Sequence, residues 1–232
     1  MYKLGVIIPS SNTTVEQEFS FALHKIPVSL HFARVPLKDV TIDGLSEMEK
    51  ETEYAAQLLN DAQVDAIVFA CTSASLLKGK GHDKAIAKKI IRVANCPVVV
   101  TSGAVVDALK KIGVKKITLA TPYIKEINEK EKDFLEQNGF EVISIQSLGL
   151  TENLEIGKLT MKDALKIAVR ADTKLAEAIF ISCTNFMTFQ AIPILEKQLK
   201  KPIISSNSAT LWAAFNALQI KEPMQLGKLF DT

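Results

Sequence analysis

An α/β fold built from parallel sheets is predicted by three features of this 232-residue chain. Apolar runs of four to six residues alternate with longer amphipathic stretches, the pattern of strand–helix–strand units. Strand-ending motifs recur about 112 residues apart. Hydroxyl and amide side chains gather where the strands end.

Buried strands are expected at 4–8, 30–35, 66–70 and 98–101, and again at 117–120, 142–145, 178–182 and 203–205. Each is short and almost unbroken in its apolar character, as strands covered on both faces require. Amphipathic helices are expected at 47–60, 85–94, 124–138 and 160–175. Thr13 and Glu16 fit a capping box, which sets Asn12 just outside a helix N-terminus.

The two sets of strands align on one another. Pro9 is matched by Pro122 and Cys71 by Cys183, at offsets of 113 and 112 residues. Phe69-Ala70-Cys71-Thr72-Ser73 aligns with Ile181-Ser182-Cys183-Thr184-Asn185, and Pro97 answers Pro202. A register shared across four strands marks an internal duplication. The expected architecture is two pseudo-symmetric, Rossmann-like lobes, each a parallel four-stranded sheet flanked by helices. Residues 1–107 with 208–232 form the N-terminal lobe in this reading, and 108–207 form the second. A last helix at 209–218 is expected to cross back onto the first lobe. Because ligands bind beyond the carboxyl ends of parallel strands, the active site is expected at the lobe interface.

Composition narrows the class. Hydrophobic residues make up 47% of the chain and charged residues 23%, which suffices for a real core. A net charge of +2 leaves no electrostatic footprint for nucleic acid. Lys88, Lys89 and Arg92 read as a solvated helix face. No apolar run approaches the roughly 18 residues of a membrane span, and no secretory signal is expected ahead of residues 4–8. Three cysteines at wide spacing make no disulfide framework. A cytoplasmic setting with reduced thiols is therefore expected.

The strand ends carry Ser10, Ser11 and Asn12; Cys71, Thr72 and Ser73; Thr101 and Ser102; Thr121 and Tyr123; Cys183, Thr184 and Asn185; and Ser205, Ser206 and Asn207. Many are ordinary helix-capping types. Six such ends aimed at one cleft, with no Lys or Arg among them, suit a carboxylate ligand held by neutral donors. Cys71 and Cys183 each end an apolar strand and open a hydroxyl-rich turn, where a helix N-terminus favours thiolate. Two charges about 4 Å apart repel by roughly 4 kcal/mol at an effective dielectric of 20, so the two are not both expected to ionise. One thiolate and one neutral thiol suit nucleophile or base and acid.

Cys96, beside Pro97, reads as a structural cysteine. There is no dinucleotide fingerprint or Walker loop; 78–82 reads as a flexible turn. His24, His31 and His82 lack metal spacing, so neither metal nor cofactor is expected. Tyr123 offers a phenol that can donate a proton. Arg34 could clamp a carboxylate or pair with Asp39 or Asp43.

With these residues in view, the chain resembles the aspartate/glutamate racemase superfamily over nearly its whole length, and within it the maleate cis–trans isomerases. The resemblance is carried by Pro9-Ser10-Ser11-Asn12-Thr13-Thr14-Val15-Glu16, Cys71-Thr72-Ser73, Thr121-Pro122-Tyr123, Asn153, Cys183-Thr184-Asn185, and Ser205-Ser206-Asn207 ahead of Trp212. It implies a cofactor-independent reaction between pseudo-symmetric lobes. In it Cys71 adds to the alkene of a small dicarboxylate, Cys183 handles the proton, and Asn12, Tyr123 and Asn153 hold carboxylates. Ser10, Thr72, Ser73, Thr184 and Asn185 are further candidate substrate-binding residues, with backbone donors near both cysteines. A homodimer or higher homo-oligomer is implied.

Two-cysteine racemases of aspartate, glutamate or a hydantoin share these turns. They also need an acceptor for an ammonium group, and the sequence places no carboxylate beside either cysteine, although Asp39 and Asp43 lie in a nearby loop. Arylmalonate decarboxylases resemble the fold but keep only the second cysteine, so Cys71 counts against that chemistry. A metabolite-binding pair of lobes with incidental thiols is the non-catalytic alternative.

Overall fold

The computed structural model describes residues 1–231. The first half runs β1 (Tyr2–Pro9), α1 (Val15–Leu23), β2 (Val28–Val35), α2 (Ile42–Lys50), α3 (Thr52–Asp61), β3 (Ala66–Phe69), α4 (Thr72–Leu76), α5 (His82–Ile91), β4 (Val98–Val100) and α6 (Thr101–Ile112). The second half runs β5 (Lys116–Tyr123), α7 (Lys125–Gln137), β6 (Glu141–Leu150), α8 (Asn153–Gly157), α9 (Met161–Ala171), β7 (Ala178–Ile181), α10 (Ala191–Leu199), β8 (Ile203–Ser205) and α11 (Ser206–Leu218). A 3-10 turn follows at Lys228–Asp231.

All eight expected strands form. They build two parallel sheets with equivalent orders, β2-β1-β3-β4 and β6-β5-β7-β8. In each sheet the first strand of its half sits between two neighbours: Val6 lies beside Phe32 and Val68, and Leu119 beside Ile145 and Phe180. The four-residue β3 and β7 are buried at every position. Helices cover both faces, which is why these strands read as unbroken apolar runs rather than alternating ones.

The helices depart from expectation in two places. The stretch read as one helix at 47–60 is two, α2 and α3, interrupted at Glu51. The Glu51 N–H turns back to the carbonyl of Met48. The break lets α2 bury Leu45 and Met48 against α4, while α3 buries Ala55, Ala56 and Leu59 beneath β1 and β2. One straight apolar stripe could not serve both neighbours. The helix expected to reach 175 stops at Ala171, because the Asp172 carboxylate and Thr173 carbonyl are taken by Lys201. Its start at Thr160 is as expected, and an unforeseen capping box with Asp163 fixes it there.

The last helix, α11, is buried on nearly every side and packs mainly on α6, with further contacts to β3 and β4. Ala104, Ala108 and Ala209 keep side chains short in these buried helices, and the hydroxyls of Thr101 and Thr210 meet at 3.0 Å. This brings the start of α11 against the ends of β3 and β7, where the two cysteines lie.

Candidate active site

Cys71 follows β3 and caps α4; Cys183 follows β7, two residues after its last strand position. Both are free thiols and each is only 4% exposed. Cys183 has φ of 97°, in the region normally left to glycine. A side chain held there stores strain that the surrounding contacts must sustain, a frequent property of functional positions. Those contacts are at hand. The Cys183 N–H donates to Ser206 Oγ at 3.0 Å, and the Asn185 N–H donates to Cys183 Sγ at 3.3 Å.

The environment of the thiols differs from the expectation that helix ends would favour thiolate. Burial pushes Cys71 up to about 11 and Cys183 up to about 12. The Ala74 N–H and Ser73 hydroxyl pull Cys71 down, and the Tyr123 hydroxyl and Asn185 N–H do the same for Cys183. A few hydrogen bonds do not compensate the loss of water around an anion. Each thiol is therefore neutral at pH 7 when the site is empty. The two are close enough that a charge on Cys71 raises Cys183 further, which supports the expectation that they do not ionise together. Tyr123 is fully buried, donates to Cys183 and is itself pushed well up by burial.

The remaining candidates divide into side chains at the thiols and side chains that tie the lobes together. Ser73 contacts Cys71 Sγ through its hydroxyl at 3.8 Å. Thr72 donates to Ser206 Oγ at 2.8 Å, the same oxygen that accepts from Cys183. Asn12 Nδ2 donates to Thr184 Oγ1, which in turn donates to the carbonyl of Ala70, next to Cys71. Asn185 accepts from the Thr13 N–H and donates to the Asn153 carbonyl. Asn153 Nδ2 donates to Ser11 Oγ at 2.8 Å. Asn12, Asn153, Thr184 and Asn185 thus form one buried network between the carboxyl ends of β1, β3 and β7.

Three expectations are corrected. The capping box of Thr13 and Glu16 is absent: Asn12 itself accepts from the N–H groups of Thr14 and Val15, while Glu16 pairs with Arg34 at 2.7 Å. Arg34 pairs with that Glu16 rather than with Asp39 or Asp43, and its guanidinium also holds the carbonyls of Ser10 and Asn12. His82 opens α5 instead of sitting in a mobile turn, and it is buried 3.3 Å from Glu49, a carboxylate also gripped by Lys78 and Lys89. Ser10 is brought near the others but is exposed, and its hydroxyl binds the backbone of Leu37.

Two carboxyl groups were not foreseen. Glu18 on α1 accepts from the N–H groups of Thr188 and Phe189, at 2.6 Å for the latter, and from Asn207 Nδ2 at 2.7 Å. Asn207 also donates to the Thr184 carbonyl, so Glu18 anchors the Cys183 loop to the first half of the chain. Glu131 on α7 accepts from the Ser182 hydroxyl, one residue before Cys183. Both Glu side chains take a core position on a helix: Val15, Phe19 and Leu23 flank Glu18, and Ile127, Phe134 and Leu135 flank Glu131. A lone carboxylate inside an apolar stripe was the available signal.

Burial raises Glu18 to about 7. The unfolded chain then releases this proton first, so folding stability is complete below about pH 4.5 and declines as pH rises toward 7. A shift from 4.5 to about 7 corresponds to about 3 kcal/mol. Thermal unfolding at pH 5 and pH 7.5 is expected to give a lower Tm at the higher pH, and Glu18→Gln is expected to shrink that difference. An unchanged difference would remove Glu18 as its source.

Comparison with known proteins agrees with this geometry. A family model described as arylmalonate decarboxylase matches residues 4–230. The maleate isomerase of Geobacillus stearothermophilus is 30% identical, over 95% of this chain and 93% of that protein. The arylmalonate decarboxylase of Bordetella bronchiseptica is 25% identical over 98% of this chain and 96% of its own. Among solved structures, a cysteine-to-alanine variant of maleate isomerase Iso from Pseudomonas putida S16, crystallised with maleate, superposes with a TM-score of 0.95 at 29% identity, over 99% of this chain and 97% of that one.

Proposed function

The chain belongs to the arylmalonate decarboxylase family, and from that premise we propose that it is a cofactor-independent isomerase converting maleate to fumarate through an adduct on Cys71. The observation that carries this reading is the pair of buried thiols at equivalent strand ends, with Cys183 hydrogen-bonded to the Tyr123 phenol. The similarity to maleate isomerases along almost the whole chain supports it.

The two cysteines are assigned their roles as the family resemblance implies. Cys71 gives up its thiol proton to solvent, and the resulting thiolate adds to one alkene carbon of maleate. The π electrons move to the neighbouring carbon, beside its carboxylate. Cys183 gives that carbon its thiol proton and becomes a thiolate, held by the Tyr123 hydroxyl and the Asn185 N–H. The former double bond is now a single bond and rotates. Cys183 then takes a proton back from the carbon it protonated, the double bond re-forms, and the Cys71–carbon bond breaks to release fumarate. Forming the Cys71 thiolate at pH 7 from a thiol near 11 costs about 5 kcal/mol. A turnover of roughly 10 per second tolerates a total barrier of about 16 kcal/mol, so that cost leaves room for the addition itself.

Asn12 and Asn153 are assigned to the substrate carboxylates, joined by Tyr123 until its one hydroxyl proton turns to the Cys183 thiolate, with Thr72, Ser73, Thr184 and Asn185 shaping the pocket around them and Ser10 supporting the β1 turn. Residues 1–107 with 208–232 are assigned to one lobe and 108–207 to the other, because α11 packs chiefly on α6. A cytoplasmic location keeps both thiols reduced, and among the described residues no helix is long and apolar enough to cross a membrane. The active form is assigned as a homodimer or larger homo-oligomer, which light scattering tests.

Incubation of reduced protein with maleate in deuterated buffer, followed by proton NMR, is expected to give fumarate. Absence of fumarate would overturn the assignment. Deuterium at Cα of aspartate or glutamate, or loss of carboxylate from an arylmalonate, would replace it with racemisation or decarboxylation.

A further inference from the structure

Glu131 is fully buried on α7, the helix that follows the strand ending in Tyr123. Its Oε1 accepts from Ser182 Oγ at 2.5 Å, and its Oε2 has no hydrogen-bond partner. Ser182 directly precedes Cys183, whose backbone is held at φ of 97°. The wall around Glu131 comes from α4, α6, α7 and β7, through residues such as Thr72, Ser102, Phe134 and Phe180. None of that wall carries a charge. The titratable groups facing Glu131 are Tyr123 from β5 and Cys183 from the end of β7. A carboxylate with one donor and no cation is costly to bury, whereas a protonated acid is not.

We propose that Glu131 is a positioning residue for the Cys183–Tyr123 pair, holding the strained Cys183 turn through Ser182 as an uncharged acid and so keeping negative charge out from behind the site. The expectation that no carboxyl group stands beside the Cys183 turn is corrected by Glu131, which reaches it from α7. Burial raises Glu131 to about 8, so it holds its proton at neutral pH and ionises above it. Once ionised it opposes a thiolate on Cys183 and a phenolate on Tyr123. The benefit to proton transfer rests on the isomerase reading; the charge coupling does not.

The test reads Cys183 directly and without substrate, so its failure is separable from a failure of the maleate assay. Alkylation by iodoacetamide is followed peptide by peptide between pH 7 and 9.5 in the parent protein and in Glu131→Gln. Glutamine keeps an oxygen for Ser182 and cannot ionise. At pH 7 the two proteins are expected to alkylate Cys183 at rates within about twofold. By pH 9.5 the variant is expected to be about five- to tenfold faster, because the parent alone then carries the buried charge. Cys71, whose thiol is set by burial, Ala74 and Ser73, is the internal reference and is expected to keep one ratio throughout. A Cys183 ratio that does not change with pH, or that changes equally at Cys71, would overturn the proposal. Should the glutamine variant fail to fold, carbon NMR of the Glu131 carboxyl in the parent decides. A titration above neutrality upholds the proposal, and a carboxylate already ionised at pH 6 overturns it.

Discussion

Replacing Cys71 by serine is expected to lower maleate turnover by about a thousandfold or more, while thermal stability and maleate affinity stay near those of the parent. Serine matches the cysteine in shape, and the Ser73 hydroxyl beside it can partner the new hydroxyl, so the fold has little reason to respond. The chemistry does. A hydroxyl at this position is far harder to ionise than a thiol, and addition to the alkene needs the anion. The Ala74 N–H and Ser73 hydroxyl that ease the thiolate are too few to bring an alkoxide within reach. Full retention of activity by Cys71→Ser would mean that the substrate rotates without an adduct at this residue. Steady-state rates by fumarate absorbance, with Tm as the control, check the prediction.

Cys183→Ser is expected to fail differently. The first step, addition by Cys71, remains available, but the group that gives and reclaims the proton is gone. General acid–base partners contribute roughly a hundredfold to ten-thousandfold to a rate, and turnover is expected to fall by that range. Substrate added at Cys71 and protonated by water is expected to persist, since release requires removal of that proton by the base that serine replaces poorly. The Tyr123 hydroxyl and Asn185 N–H would then face a hydroxyl with no charge to stabilise. A variant that loses binding but not turnover would contradict this division of labour.

Much of the fold was legible because both sheets are covered on two faces. That demands unbroken apolar strands, and the four residues of β3 and of β7 are buried throughout as a result. The duplication was legible because Cys71 and Cys183, like Pro9 and Pro122, end equivalent strands of the two sheets. What could not be read was how strand-end residues spend their hydrogen bonds. Ser10 and Asn12 carry polar side chains two positions apart, yet Ser10 turns to Leu37 and Asn12 to Thr184, 172 residues away. Helix ends were legible only where the cap was local, as at Thr160 and Asp163. At Thr13 the distant Asn185 competes for the same N–H and wins. The thiol environment was misjudged for a related reason: sequence displays the nearby helix end but not the depth of burial that outweighs it. Glu131 was hidden among the charged neighbours of α7, where a buried carboxyl looks like a solvated one, and Glu18 stood two residues from the partly exposed Glu16.

The identity of the nucleophile is tested most directly by rapid quenching of Cys183→Ser with maleate, digestion, and mass measurement of each cysteine peptide. A succinyl group on the Cys71 peptide is expected, approaching one per chain, with Cys96 unmodified. Fumarate formed at the parent rate with no adduct, or an adduct confined to another cysteine, would contradict nucleophilic addition by Cys71.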